Sequence, residues 1–254
     1  FQLAYSPERV LPGQILRELI ENARVIGGVT PASAQAGKEL YSTFVTGEIV
    51  MTDATTAEMV KLMENTYRDI NIAAANEFAR LADQFQVDIW EAIALANRHP
   101  RVKILNPGPG VGGHCISVDP WFLVEAAPQN AQLILNAREV NDSQPAYLVD
   151  FTQRKACSLR GKRIAALGLA YKADVDVLRE SPAVTAVELL RNAGAQVTTC
   201  EPFKPEFRIE GVKSAPTLEE AAKDADILLL LVGHTQFKQL DPQEVRKITT
   251  AKTV

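Results

Sequence analysis

The sequence predicts an α/β protein in three parts: a short mixed segment, an all-helical middle with one long helix, and a C-terminal doubly wound parallel sheet. Three observations lead there. Residues 55–85 keep apolar side chains at helical spacing with no proline or glycine. After Gly161, strand-length apolar runs alternate with helical stretches, the pattern of βαβ units. Before residue 52 the same alternation appears on a smaller scale.

The chain opens in an extended stretch, Phe1 to Tyr5. An apolar run follows at Arg24-Val-Ile-Gly27, then a helix from about Pro31 to Phe44. Thr30 caps it and Pro31 takes the first helical position, where a missing N–H costs nothing. A short strand is expected near Glu48 to Met51. For the long helix, Thr55 or Thr56 offers a cap, with Glu58 at capping-box distance from Thr55. Met59, Leu62, Met63, Ile70, Ala73, Ala74, Phe78 and Leu81 mark its apolar period. At about 1.5 Å per residue the rod is roughly 45 Å long. That exceeds the needs of a compact domain and suggests a spine or a contact with a second copy. A second helix is expected over Ile89 to Asn97. Residues 98–120 form a Pro/Gly-rich loop, and helical sequence resumes near Trp121, reaching Asn141 with a break at Pro128.

Further on, Arg163 to Gly168 reads as a buried strand. Pro182 to Asn192 reads as a helix closed by Gly194, and Gln196 to Cys200 as a second strand. A helix is expected over Leu218 to Lys223. Asp226 to Val232 is a third strand, apolar enough for the middle of a parallel sheet. A new strand begins after Ala251-Lys-Thr. The first residue is Phe rather than Met and that last strand is cut short, so the sequence reads as a piece of a longer protein.

Composition excludes some classes. A net charge of -4 argues against a general nucleic-acid binder, which carries a basic face. No run approaches the roughly 18 apolar residues of a membrane span. No signal peptide is visible. Cys115, Cys157 and Cys200 are odd in number, widely spaced and without a CxxC, which fits a reduced cytoplasm better than a disulfide framework.

Several residues carry chemistry. Gly108, Gly110 and Gly113 spell GxGxxG, but prolines interleave them and helices precede them, so they are not a dinucleotide turn. A ligand loop or a structural turn both remain open. Gly168-Leu-Ala-Tyr-Lys172 follows a strand without the usual glycines, leaving the strand-end crevice as the expected nucleotide site. Cys115 is either a core cysteine or a nucleophile presented by the glycine loop. His114 would suit a Cys–His hydrolase, yet neighbours on an extended chain point to opposite faces. His99, His114, Cys115 and Asp119 lack paired ligand spacing, so no metal is expected. Lys61 and Asn65 share a helix face with Arg68, as a site or as a solvated face. Arg98-His-Pro-Arg101, Lys172 and Arg179 supply cations enough for a diphosphate.

Longer motifs then fall into one order. They are Tyr5-Ser-Pro-Glu-Arg-Val10, Lys61-Leu-Met-Glu-Asn65, Asn97-Arg-His-Pro-Arg101, the run from Pro107 through His114-Cys115 to Trp121, Asn141-Asp142, Gly168 to Lys172, and Leu178-Arg-Glu-Ser-Pro182. On these, the chain resembles the UDP-glucose/GDP-mannose dehydrogenase family over essentially its whole length. It departs from the family in lacking the GxGxxG-bearing start of the NAD-binding domain. The resemblance implies a remnant of that domain at 1–52, a central helical dimerisation and catalytic domain at 53–145, and a Rossmann-like UDP-binding domain at 146–254.

The resemblance also implies a function. NAD is the expected cofactor, a UDP-sugar the substrate, and a homodimer through the long helix the assembly. Arg-His-Pro-Arg and the Gly-Gly-His-Cys run imply UDP-N-acetyl-D-mannosamine as the sugar, with UDP-GlcNAc, UDP-glucose and GDP-mannose as alternatives. The expected reaction takes a CH2OH to a carboxylate through a Cys115 thioester, for cell-surface polysaccharide. Lys61 and Asp119 take base and electrostatic roles, Asn65 holds the reacting oxygen with Lys61, and Glu8 serves the thioester steps. Arg9, Val10, Arg68, His99, Arg101, Gly112 and Lys172 match substrate contacts, Arg101 across the dimer, and Arg179 matches a cofactor contact. Without the usual place for NAD, the chain by itself is expected to bind UDP-sugar without oxidising it.

Overall fold

A computed structural model of the chain describes residues 1–10 and 14–249. The strand expected after residue 251 lies outside them. The chain divides into two compact units, Phe1–Tyr67 and Arg68–Val254.

The first unit holds β1 (Ala4–Tyr5), α1 (Ile15–Glu21), β2 (Arg24–Gly28), α2 (Pro31–Tyr41), β3 (Ile49–Asp53) and the first turns of α3 (Ala54–Phe85). β2 and β3 pair in parallel, and β1 joins the other edge of β2 antiparallel. α2 begins as expected: the Thr30 hydroxyl accepts from the Ser33 N–H at 3.1 Å. α1 was not expected, and none of its side chains is buried. The cap of α3 also differs from the expectation. Asp53 caps it, Oδ1 accepting from the Thr56 N–H at 2.9 Å and Oδ2 from the Thr56 hydroxyl at 2.6 Å. β3 runs straight into the helix, so Thr55 and Thr56 already lie inside its first turn, where no capping position exists. Those two bonds favour the ionised form and hold the Asp53 carboxyl below its usual range.

The second unit carries the rest of α3, then α4 (Ile89–Ala96), α5 (Asp119–Ala126), α6 (Gln132–Asp142) and α7 (Gln144–Ala156). α7 was not foreseen. The sheet follows: β4 (Arg163–Leu167), α8 (Pro182–Asn192), β5 (Gln196–Cys200), β6 (Lys213–Ser214), α9 (Leu218–Ala222) and β7 (Ile227–Leu230). Two short helices end it, α10 (Thr235–Lys238) and α11 (Pro242–Ile248). The strand order is β6-β5-β4-β7, all parallel, so the chain reverses direction across β4. Alternate residues of β4 feed opposite faces. Ile164 and Ala166 pack with Val187 and Leu190 of α8. Ala165 and Leu167 pack with Ala221 and Ala222 of α9 and with Phe237. Covered faces on both sides explain the unbroken apolar runs. Gly194 closes α8 as expected: at φ +88° it lets Ala195 N–H reach Leu190 O at 3.2 Å and Gly194 N–H reach Arg191 O at 2.9 Å.

The expected apolar period of α3 divides between surface and interior: Met59, Met63, Ala74, Phe78 and Leu81 are exposed, Leu62 and Ile70 half-buried, and Ala73 buried. The covered stripe is Thr66, Asp69, Ala73 and Asn76, repeating at steps of three and four residues, with half-buried Arg80 next in line.

Candidate active site

The second unit holds Cys115. The loop between α4 and α5 is pinned at both ends. Asn97 bonds twice to Ile104, Nδ2 to the carbonyl at 2.9 Å and Oδ1 from the N–H at 2.7 Å, and Gly108 N–H donates to Asn76 Oδ1 at 2.9 Å. At Gly112 the need for glycine comes from the chain itself, since a Cβ there would lie 2.4 Å from Glu180 O and 2.8 Å from Pro182 Cδ. Gly108 faces open space. Cys115 then sits in a turn whose carbonyl accepts from Val118 N–H and Asp119 N–H at 2.9 and 2.8 Å, and the Ser117 hydroxyl ties back to Gly113 O at 2.6 Å. The thiol is in no disulfide and is half-buried.

His114 corrects the reading of opposed side chains. The segment is a tight turn rather than an extended strand, so neighbouring side chains converge, and His114 Nδ1 stands 3.0 Å from Cys115 Sγ. A cleft of about 550 Å³ opens beside it, lined among others by His114, Trp121, Arg138, Asp142, Arg179 and Glu180. Of the expected residues, the structure brings Arg179 to this cleft, packs Gly112 against its wall, and puts Asp119 one turn from Cys115 at the start of α5.

Behind the cleft lies a buried polar network that the sequence reading missed. Arg138, 1% exposed, donates to Asp69 Oδ1 at 2.6 Å and to Asp142. Asn141 donates to the same Asp69 oxygen at 2.9 Å, and Asn76 donates to Asn141 Oδ1 at 2.9 Å. Asn76 thereby joins the network to the glycine loop. Burial pushes the Asp69 carboxyl up, and the neighbouring Arg138 guanidinium only partly offsets it. The signal was available: Asp69 and Asn76 are seven apart on one face of a long helix, and Asn141-Asp142 was noted without a role.

Other expected residues lie elsewhere in this unit. His99 Nδ1 accepts from Arg101 N–H at 3.3 Å in an exposed turn after α4. Arg68 and Lys172 are exposed. At the carboxyl ends of β4, β5 and β7, where the nucleotide crevice is expected, two buried side chains meet. Glu201 Oε2 accepts from Leu169 N–H at 2.6 Å and Ala170 N–H at 3.0 Å, and Oε1 from Phe203 N–H at 2.9 Å. Fully buried His234 accepts from Asp174 N–H on Nδ1 at 2.9 Å, which places its proton on Nε2, 3.1 Å from Glu201.

The first unit gathers the remaining group. Lys61 Nζ donates to Glu8 O at 2.7 Å, Arg9 pairs with Glu64 through Nε at 3.2 Å, and Val10 N–H donates to the Glu8 carboxylate. Asn65, half-buried, lies one helical turn after Lys61 on the same face.

A Rossmann-like sheet follows a helical region that carries the Cys115 thiol, and the comparisons are specific. The NAD binding, central and UDP binding domains of UDP-glucose/GDP-mannose dehydrogenases match residues 1–45, 55–143 and 165–254. The UDP-N-acetyl-D-mannosamine dehydrogenase of Methanocaldococcus jannaschii is 52% identical over 248 residues, 98% of this chain and 57% of that protein. The NDP-N-acetyl-D-galactosaminuronic acid dehydrogenase of Ralstonia nicotianae is 49% identical over 250 residues, 96% of this chain and 58% of that one. The solved UDP-D-ManNAc dehydrogenase of Pyrococcus horikoshii superposes with a TM-score of 0.90 at 45% identity, covering 99% of this chain and 60% of its own. This chain belongs to the UDP-glucose/GDP-mannose dehydrogenase family. It spans somewhat over half the length of the curated relatives it matches.

Proposed function

We propose that this chain carries the thiol chemistry and the UDP-binding part of an NAD-dependent UDP-sugar 6-dehydrogenase. Its substrate is UDP-N-acetyl-D-mannosamine and its product UDP-N-acetyl-D-mannosaminuronate, a building block for cell-surface polysaccharide. The observation that carries the reading is the thiol of Cys115, in no disulfide and held in a hydrogen-bonded turn next to His114, which lines a cleft together with Arg179.

The chemistry explains the residue types. Oxidising the alcohol releases a hydride from carbon 6, while the hydroxyl proton goes to a base, the part given to Lys61 and Asp119. The resulting aldehyde has no alkoxide to expel a second hydride. Adding the Cys115 sulfur to the carbonyl carbon makes one, and the collapsing oxyanion drives the second hydride out and leaves a thioester. Lys61 and Asn65 suit that transient negative oxygen, at roughly 10² to 10³ in rate for each donor. Water attacks the thioester carbon, the S–C bond breaks and the thiol is restored, the stage assigned to Glu8. Arg9, Val10, Arg68, His99, Gly112 and Lys172 are assigned to the substrate, with Arg101 reaching it from a second copy.

The two hydrides would pass in turn to two molecules of NAD, one for each oxidation. One turn of the first unit does not fit an NAD pyrophosphate. At the turn from β2 to α2, a Cβ on Gly28 would meet Ala34 N at 2.3 Å and Thr30 O at 2.4 Å, so that turn is filled by the chain itself. Arg179 is the one NAD contact assigned to this chain.

The exposed apolar stripe of α3 supports a homodimer along that helix. Domain limits of 1–52, 53–145 and 146–254 go with this reading. So does a cytoplasmic location, because the cycle needs a reduced thiol. Among the described residues, no helix is long and apolar enough to cross a membrane.

The test offers UDP-N-acetyl-D-mannosamine, UDP-GlcNAc, UDP-glucose and GDP-mannose with NAD to the protein containing this chain, and follows NADH and acid. The mannosamine derivative should be oxidised fastest, and Cys115→Ser should stop acid formation. Normal turnover by Cys115→Ser ends the reading. The filled turn at Gly28 favours a second one, a UDP-sugar binding module, for this chain alone; calorimetric heat without NADH supports that one.

A further inference from the structure

We infer that His114 is the proton acceptor for the Cys115 thiol. The inference rests on the reading of Cys115 as the nucleophile. The contact itself is close, Nδ1 to Sγ at 3.0 Å, and for Nδ1 to accept, the neutral imidazole carries its proton on Nε2. The pairing is built into the backbone. The Cys115 carbonyl is held by two N–H groups, and the Ser117 hydroxyl is tied to Gly113 O, so the turn that makes the two side chains converge is fixed at both ends.

Position gives the imidazole a use. His114 is exposed and lines the cleft, so its ring is open to water, while the sulfur beside it is half-buried. The charged groups lining the cleft are Arg138 and Asp142 of α6 and Arg179 and Glu180 before α8; Asp119, at the start of α5, bonds through its N–H to the Cys115 carbonyl. Both signs are represented, so no single-sign field overrides the pair. An ordinary thiol near pKa 8.5 is only a few per cent ionised at neutral pH. Moving its proton from Sγ to Nδ1 gives a thiolate beside an imidazolium, which stabilises it. The sulfur then adds to the aldehyde carbon. When water cleaves the S–C bond, the same proton returns from Nδ1 to Sγ, so the cycle closes without another reactant.

Iodoacetamide alkylation of the full chain tests this without sugar or NAD, mapping each cysteine by peptide mass across pH. Exposed Cys157 serves as the internal reference. Cys200 stays silent, since burial pushes its thiol up to about 11. At pH near 6.5, Cys115 should react about tenfold faster in the parent than in His114→Asn or His114→Ala, with the difference fading above pH of about 9. The Cys157 rate should be unchanged. If His114→Asn, which keeps an acceptor but cannot take a proton, retains the parent pH profile, the inference is overturned. Loss of the profile in a chain whose complete protein forms no acid would sink the dehydrogenase reading and leave the pairing standing.

Discussion

The buried face of α3 and the core of the C-terminal sheet are packed by opposite means. Around β4 the interior is Ile164, Leu190, Val197 and Leu228, packed by shape, with the buried polar pair Glu201–His234 kept to the strand ends. Along α3 it is Asp69 and Asn76, joined to Arg138 and Asn141 from α6. The sheet's core is non-directional and tolerates adjustment; the helix's core works only if each donor finds its acceptor. The polar interior lies behind the loop that presents Cys115, and Asn76 bonds directly to Gly108 of that loop. The difference teaches that placement of a reactive loop is here assigned to hydrogen bonds, and bulk stability to apolar area.

Breaking one partner on each side tests that division. Arg138→Met strands the buried Asp69 carboxylate and should cost about 3–5 kcal/mol in urea unfolding, whereas adding Asp69→Leu to it should recover most of the loss. In the sheet, Leu190→Ala should cost about 2–5 kcal/mol, with little change in the iodoacetamide rate of Cys115. If Arg138→Met leaves that rate untouched too, the polar network does not position the loop. On the outer face of α3, the proposed contact with a second copy, Phe78→Glu should lower the mass read by light scattering from two chains to one, while changing the stability of one chain by under about 0.5 kcal/mol.

The smallest effect concerns acid. The Arg163 backbone N–H and guanidinium hold the Asp226 carboxyl below its usual range, so its contribution is present above about pH 4 and lost as pH falls through the lowered value. Asp226→Asn should therefore melt below the parent at pH 7 and with it in strong acid. Asp69 has the opposite sign. Its raised carboxyl contributes most below about pH 4 and loses that contribution as pH rises through the raised value.

Much of this was legible in the sequence. The strands β4, β5 and β7, the helix α8 and its Gly194 closure follow from periodicity and punctuation, because in that domain burial and apolarity coincide. On α3 they separate. Met59, Met63, Phe78 and Leu81 give the helix but not the face that packs on its own chain, since a helical period reports that one face will be covered, not what covers it. Cys115 stood out through the run before it. His114 was discounted by assuming an extended chain, and the turn that reverses this is set by hydrogen bonds at Val118, Asp119 and Ser117 that no spacing rule contains. The Glu201–His234 knot joins residues far apart in sequence, each just past a strand, and could be seen only once the strands were side by side.

Cys157 ends α7 in the left-handed region at φ 63°, with its sulfur in solvent. In air, two such chains would join through this atom and run as a covalent pair on a non-reducing gel, a species unrelated to any contact along α3. Glycine at 157 would remove that artefact and also relieve the backbone, for a gain of up to about 1 kcal/mol. A single change would thus make the molecule both cleaner to handle and harder to melt.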